Sequence, residues 1–342
     1  MQAGDREKIG LHGLEVTRLG LGGTTFGNMY SALDDQEALN VIDASYMAGV
    51  RYFDTAPLYG YGMSETKMGP GLARYNRDEI AISSKVGYVL KERQEGDDYV
   101  DLFVDAPKLT SYFDYSRDAV LHSIEGSLKR LKTDRLDIVL IHDPDDGKSI
   151  EPGWVPGDRA NFDQVMAEAY PALAELREQG VVKAIGLGMN QWQMLADFAR
   201  AGNFDAFLLA GRYTLLEQES LRELLPLCTE RDVRIIIGGP YNSGILATGA
   251  IEGATYNYAA APEPLLERVR GIEAVCARHD VPLQAAALQF PFGHSAVATV
   301  IPGARTVAEV EGNVGFLQHA ISADFWAELK QEGLIDAASP TP

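Results

Sequence analysis

Four polar residues suited to proton transfer stand at or just beyond the ends of β-rich runs in this chain. Asp54 closes "VRYFD", Lys85 closes "AISSK" and His142 closes "DIVLIH", while Tyr59 follows Asp54 in the Gly-rich turn "DTAPLYGYG". A tyrosyl hydroxyl ionises near pH 10 when unperturbed, and an ammonium group beside it favours the phenolate. In this reading Lys85 supplies that charge, Asp54 holds Lys85, and His142 hydrogen-bonds and orients the same substrate oxygen. Each residue also has an ordinary structural role, because strand-end Asp–Lys pairs are often plain ion pairs and loop tyrosines usually pack. Four of them converging on neighbouring strand ends predict an acid–base set.

The elements that must position this set alternate. The β-rich runs are "RLGLGG", "VRYFD", "AISSK", "DIVLIH", "KAIGLGMN", "AFLLA", "RIIIGG" and "ATVIPG". Between them lie stretches with apolar residues at helical spacing, such as "DQEALNVIDASYMAG", "SRDAVLHSIEGSLKRL", "FDQVMAEAYPALAELREQG" and "QESLRELLPLCTERD". Eight strand–helix units predict an α/β fold, a (β/α)8 TIM barrel, whose usual size is about 250 residues and whose active site lies at the C-terminal strand ends. The surplus of a 342-residue chain is assigned to an N-terminal hairpin, "KIGLHGLEVTRLG", to long loops near 86–115 and 143–162, and to a C-terminal extension. A doubly wound open sheet is the runner-up, since alternation alone does not distinguish it. With no linker and no internal repeat, residues 1–342 are expected to form one domain.

Composition removes several function classes. With 30 Lys and Arg against 49 Asp and Glu, the formal net charge is −19, which repels nucleic-acid phosphates and anionic lipid surfaces. The apolar runs fall far short of the roughly 20 residues of a membrane-spanning helix, and no export signal is apparent, so a cytoplasmic protein is expected. Cys228 and Cys276 lie in helix-like segments without metal-binding or redox spacing. Asp143, Asp145 and Asp146 follow His142, but without a second ligand cluster they are read as a turn, held by Pro144, whose carboxylates face solvent or a hydroxylated substrate, and no metal is expected.

The stretch "RYFDTAPLYGYGMSETKMG" with Asp54 and Tyr59, "SSKVG" with Lys85 and "RLDIVLIHDPD" with His142 resemble the signatures of the aldo-keto reductases. The likeness runs in order from "LGLGG" to "IPGARTVAEVEGN". It implies a barrel that binds a nicotinamide cofactor without a Rossmann domain, with Tyr59 as proton donor or acceptor tuned by Asp54, Lys85 and His142. "LGLGG" is then a strand and tight turn carrying Gly22 and Thr24, not a dinucleotide fingerprint, for which a complete G-x-G-x-x-G is missing.

The resemblance also implies a cofactor site. Asn190 matches the position that holds the nicotinamide carboxamide. Tyr213 and the run Gly239, Pro240, Tyr241, followed by Ser243 and Gly244, match segments along the cofactor, although Gly238 replaces the usual stacking aromatic. Tyr213 or Tyr241 is the expected substitute. Ile301, Gly303, Arg305, Glu309 and Asn313 match the adenosine-phosphate site at a helix N-terminus. A Glu309 carboxylate repels a 2′-phosphate and accepts a bond from a free 2′-hydroxyl, which favours NAD over NADP, whereas Arg305 argues the other way. Tyr88, Trp154 and Asn242, with Tyr112 and Phe113, are candidates for the substrate pocket, beside Tyr59 and His142. Within the family the likeness is to a bacterial branch that includes aldose 1-dehydrogenases and pyridoxal 4-dehydrogenase. It implies NAD(P)-dependent oxidation of a small sugar hemiacetal, such as that of L-fucose, to its lactone. Pyridoxal oxidation, NADPH-dependent aldehyde reduction and a cofactor-sensing regulatory barrel are the alternatives.

Overall fold

A computed structural model describes residues 1–97, 99, 102–146 and 159–342. The chain enters through an antiparallel hairpin of β1 (Arg6–Ile9) and β2 (Leu14–Thr17), and then builds eight parallel strands in sequence order. These are β3 (Leu21–Gly22), β4 (Tyr52–Asp54), β5 (Ala81–Val86), β8 (Ile138–His142), β9 (Ala184–Met189), β10 (Ala206–Ala210), β11 (Arg234–Gly238) and β14 (Val297–Ile301). Parallel bridges Leu19–Val300 and Gly22–Gly303 join the last strand to the first. The sheet thereby closes into the (β/α)8 barrel expected from the eight runs, and the open-sheet alternative falls.

Each strand is buried on both faces, which is why its sequence reads as a continuous apolar run rather than an alternation. Inside the barrel, Tyr52, Ile138, Leu140, Leu208, Ile236 and Ala298 pack with Ile9, Leu14 and Val16 of the hairpin, which plugs one end. Outside it, Val139, Ile141, Ile185, Leu187 and Phe207 meet the apolar stripes of the surrounding helices.

The helices α1 (Asp35–Met47), α2 (Met63–Leu72) and α3 (Arg117–Leu131) follow β3, β4 and the β5 loop. The starts of α1 and α3 are chemically marked: Asp34 accepts from Gln36 and Glu37 amides, and Ser116 from that of Ala119. Residues 162–178 form one helical run with a π turn, α4 (Phe162–Gln164), Val165–Ala169 and α5 (Tyr170–Glu178). The circuit continues through α6 (Trp192–Ala201), α7 (Leu224–Glu230), α8 (Ile245–Thr248), α9 (Glu263–Arg278), α10 (Leu283–Gln289) and α11 (Val307–Gln318), and the C-terminal extension carries α12 (Ala323–Gln331).

Two further hairpins decorate the end that carries Asp54, Lys85 and His142. The loop near 86–115 contains β6 (Tyr88–Glu92) paired with β7 (Leu109–Phe113). Farther along, β12 (Thr255–Tyr256) pairs with β13 (Ala259–Ala260) across a two-residue turn, Asn257 and Tyr258, both at positive φ. That is the turn geometry whose twist suits a two-residue hairpin. Among the described residues no helix is long and apolar enough to cross a membrane.

Candidate active site

Three consecutive barrel strands deliver the first three groups. Asp54 ends β4, Lys85 lies one residue before the end of β5, and His142 ends β8, so their side chains emerge at the same rim. Tyr59 comes from the turn between β4 and α2. A pair of glycines fixes that turn: a Cβ on Gly27 would lie 2.6 Å from the Tyr59 carbonyl carbon, and one on Gly60, at φ +62°, would lie 2.5 Å from the Gly27 oxygen. Only backbone fits between these loops, and their contact sets the height of Tyr59 above the strand ends.

The four groups form a connected cluster. Lys85 Nζ donates to Asp54 Oδ2 at 2.7 Å, to the Thr55 carbonyl at 2.9 Å and to the Tyr59 hydroxyl at 3.0 Å. Ser83 Oγ donates to the other Asp54 oxygen at 2.6 Å and meets the Tyr52 hydroxyl at 2.9 Å. Lys85 is 1% exposed and Asp54 2%, so the ion pair is fully desolvated and its remaining valences are filled by hydrogen bonds. The His142 ring stands edge-on to Tyr59 at 5.8 Å and to Tyr88 at 5.0 Å. Its buried Nδ1 has no hydrogen-bond partner among the described residues.

The electrostatics correct one expectation. Burial raises the Lys85 ammonium's cost, but Asp54 and Tyr59 outweigh it and hold its pKa above the ordinary value. The Tyr59 pKa is raised, because burial outweighs the lowering by Lys85 and Asp54 adds to the rise. Lys85 therefore moderates the burial of Tyr59 without making it a resting phenolate, and the hydroxyl stays protonated at neutral pH. His142 is held neutral: burial, and then the Lys85 charge, push its pKa well below the usual imidazole range.

Beside the cluster opens a cavity of about 340 Å³. Its wall includes Asp54 and Tyr59 together with Gly22, Thr24, Asn190, Gly239, Pro240, Tyr241, Asn242, Ser243, Gly244, Ile301 and Gly303. His142 and Tyr88 stand off this wall, linked to it through Tyr59: His142 meets Tyr59 edge-on, and Tyr88 meets His142. Tyr213 stands apart from the cavity wall: it is wholly buried, its ring packed on Phe290 and edge-on to His294. Of the two candidates it is Tyr241 that stands on the wall, and its hydroxyl donates to Asn313 Oδ1 at 2.6 Å. Of the other candidates, Phe113 packs on Tyr88 at 4.5 Å and Tyr112 is exposed, while Trp154 lies outside the described residues.

Glycine backbone and side-chain amides shape parts of the cavity wall. A Cβ on Gly22 would lie 2.9 Å from the Ile301 oxygen and one on Gly303 2.9 Å from Thr25 Cγ2, so backbone lines that part closely. Asn242 donates to the Gly211 carbonyl at 3.0 Å, and its buried Oδ1 has no partner among the described residues, while Asn190 donates to the Ala210 carbonyl at 2.8 Å. An amide-bearing ligand would satisfy such groups. At the start of α11 Thr306 accepts from the Glu309 amide at 3.2 Å, and the Glu309 carboxylate accepts from the Arg305 amide at 2.6 Å. The Arg305 guanidinium donates to the carbonyls of Met29, Ser31 and Ala32 at 3.2, 2.7 and 3.0 Å.

Sequence reasoning passed over part of this wall, including Thr25, Met29, Tyr30, Gly211, Ala247, Asn257 and Tyr258. The hairpin-tip pair had one readable signal, an Asn between strand-forming residues in "ATYNYAA", which is a turn former tolerant of positive φ. Among the described residues no group of His, Cys, Asp and Glu has the arrangement of a metal site.

Comparison with known proteins places this geometry. The model of the Aldo/keto reductase family matches residues 18–332. The D-threo-aldose 1-dehydrogenase of a Pseudomonas species is 38% identical, over 96% of this chain and 97% of its own. The pyridoxal 4-dehydrogenase of Microbacterium luteolum is 35% identical, over 98% and 99%. Among solved structures, an aldo-keto reductase of Bacillus halodurans in its holo form has the same fold, with a TM-score of 0.75 at 24% identity and 97% coverage of both chains. This chain belongs to the aldo/keto reductase family.

Proposed function

We propose that this oxidoreductase acts on a small aldose such as L-fucose, oxidising the C1 hemiacetal to the lactone, with Tyr59 as the acid–base group and NAD preferred to NADP. The observation that carries the reading is the Tyr59 hydroxyl, held at 3.0 Å by a buried lysine that Asp54 in turn holds. The aldose dehydrogenase relative supports the substrate class.

In this mechanism the hemiacetal hydroxyl lies between Tyr59 and His142. The neutral imidazole donates or accepts a hydrogen bond that aims the hydroxyl, and Tyr59, once ionised, takes its proton. Lys85 stabilises the phenolate that forms and Asp54 keeps Lys85 in place. A bound nicotinamide supplies the acceptor for the hydride that leaves C1. Asn190 would hold its carboxamide, Tyr241 would lie along its ring, and Gly22, Thr24, Gly239, Pro240, Ser243, Gly244, Ile301 and Gly303 would line the rest, with Asn313 bracing Tyr241. Since the resting Tyr59 is protonated, oxidation should accelerate as pH rises above neutrality, and aldehyde reduction, which needs the protonated form, should not.

The preference for NAD follows from Glu309 and Arg305. The Glu309 carboxylate already occupies an amide donor at the start of α11, where a phosphate would face like charge. Arg305 is committed to the turn at 29–32. Initial rates of oxidation of fucose, arabinose, galactose and pyridoxal at mildly alkaline pH, with either cofactor, test the reading. An aldose should be turned over with NAD at least tenfold faster than with NADP, and Glu309→Gln should narrow that gap. Turnover of pyridoxal alone would favour the activity of the second relative. Reduction of simple aldehydes with NADPH and no sugar oxidation would overturn the proposal.

A further inference from the structure

His142 is followed by a residue that the acid–base scheme does not use. Asp143 sits at φ +41°, an unusual conformation for a residue with a side chain, and the fold is built to hold it there. The Tyr115 hydroxyl, buried beneath, lies 2.8 Å from the His142 carbonyl and 2.9 Å from the Asp143 carbonyl, so it donates to both. The Asp143 amide donates to the Gly188 carbonyl at 3.0 Å, and its carbonyl accepts from the Asp146 amide at 2.8 Å. Backbone anchors on both sides thus fix the direction of the side chain.

That direction is into the site. Asp143 Oδ2 lies 3.7 Å from His142 Nε2 and accepts from the Tyr88 hydroxyl at 3.2 Å. Among the described residues its one charged-pair contact is with His142. A mostly buried carboxylate with one long hydrogen bond has acceptor capacity to spare. The reach from Oδ2 to the imidazole nitrogen is short enough for oxygens on adjacent carbons of one ligand to engage both.

We propose that Asp143 is a substrate-recognition residue, its carboxylate accepting a hydrogen bond from the hydroxyl on the carbon next to the reacting one. The assignment rests on the reading of Tyr59 and His142 given above. It makes the site selective for α-hydroxy aldehydes and their hemiacetals over unsubstituted aldehydes, because a buried acceptor left unpaired penalises a ligand lacking the donor. Burial and then the neighbouring Asp145 raise the Asp143 carboxyl to about 7, against the lowering by Tyr88 and Lys85. The other groups facing it are neutral near pH 7: His142 on its own strand end, Tyr59 and Tyr115, and Tyr258 from the β12–β13 hairpin, whose pKa is raised by burial and then by Tyr59 and Asp143. Selectivity should therefore improve as pH rises through 7 and the carboxylate ionises.

The test compares kcat/KM for 2-hydroxypropanal and propanal, reduced with NADH, in the parent and in Asp143→Asn. Parent and variant are first matched by thermal melt and by fluorescence titration with NADH. The ratio of the two kcat/KM values is expected to fall about 30-fold in Asp143→Asn, and its rise between pH 6 and 8 in the parent should vanish. A ratio that stays within threefold of the parent, including an equal loss on both substrates, overturns the assignment. If the parent oxidises no sugar yet shows this Asp143-dependent ratio, the hemiacetal reading fails and the recognition role stands.

Discussion

Tyr59→Phe is expected to lower turnover by about 10³-fold or more, within the range that a positioned acid–base group contributes, while cofactor affinity changes less than about twofold. The substitution removes one oxygen. Phenylalanine fills the same place between the 27 and 60 backbone contacts, and Lys85 keeps Asp54 and the Thr55 carbonyl as partners, so neither the cavity nor the ion pair collapses. Steady-state rates with titration of cofactor fluorescence check both halves. A loss of less than tenfold would remove Tyr59 from the chemical step.

Lys85→Met carries the second large effect, on stability as well as rate. It leaves the Asp54 carboxylate buried with Ser83 as its remaining side-chain donor, and an uncompensated buried charge of this kind costs about 3–5 kcal/mol. The loss should appear as a lower urea midpoint. Combining it with Asp54→Asn should recover most of the midpoint, since the orphaned charge is gone, but none of the rate. Without the ammonium, burial acts on Tyr59 unopposed, so any residual oxidation should need a higher pH than in the parent. Equal stability of the single and double variants would mean that the pair is not the closed unit described here.

Most of the barrel was legible because buried parallel strands write themselves as short apolar runs, and all eight runs became barrel strands. The placement of Asp54, Lys85, His142 and Tyr59 was legible for a related reason: in a barrel, the C-terminal strand ends and the turns that follow them share one rim. What the chain concealed was tertiary. The helix Met63–Leu72 contains Pro70 between Gly69 and Gly71, and reads locally as a continuation of the Gly-rich turn. The β6–β7 and β12–β13 hairpins are short and carry mixed polarity, so no period marks them. Tyr213 and Tyr241 were indistinguishable by type and spacing, and only packing sends one into the core and the other to the cavity wall. The pKa of Tyr59 depends on the balance between Lys85 and burial, and burial has no local sequence signature. Asp143 looked like one more turn carboxylate, because a positive φ and an anchor 28 residues away, Tyr115, decide where it points.

The central claim is that hydrogen passes from C1 of a sugar hemiacetal within this site. The aldose turned over fastest is to be prepared with deuterium at C1 and incubated with NAD, and the reduced cofactor and the sugar product analysed by mass spectrometry. One deuterium per reduced cofactor, matched by an equal amount of lactone or its hydrolysed acid, is the predicted result. Reduced cofactor without deuterium, or no lactone at all, would contradict the account.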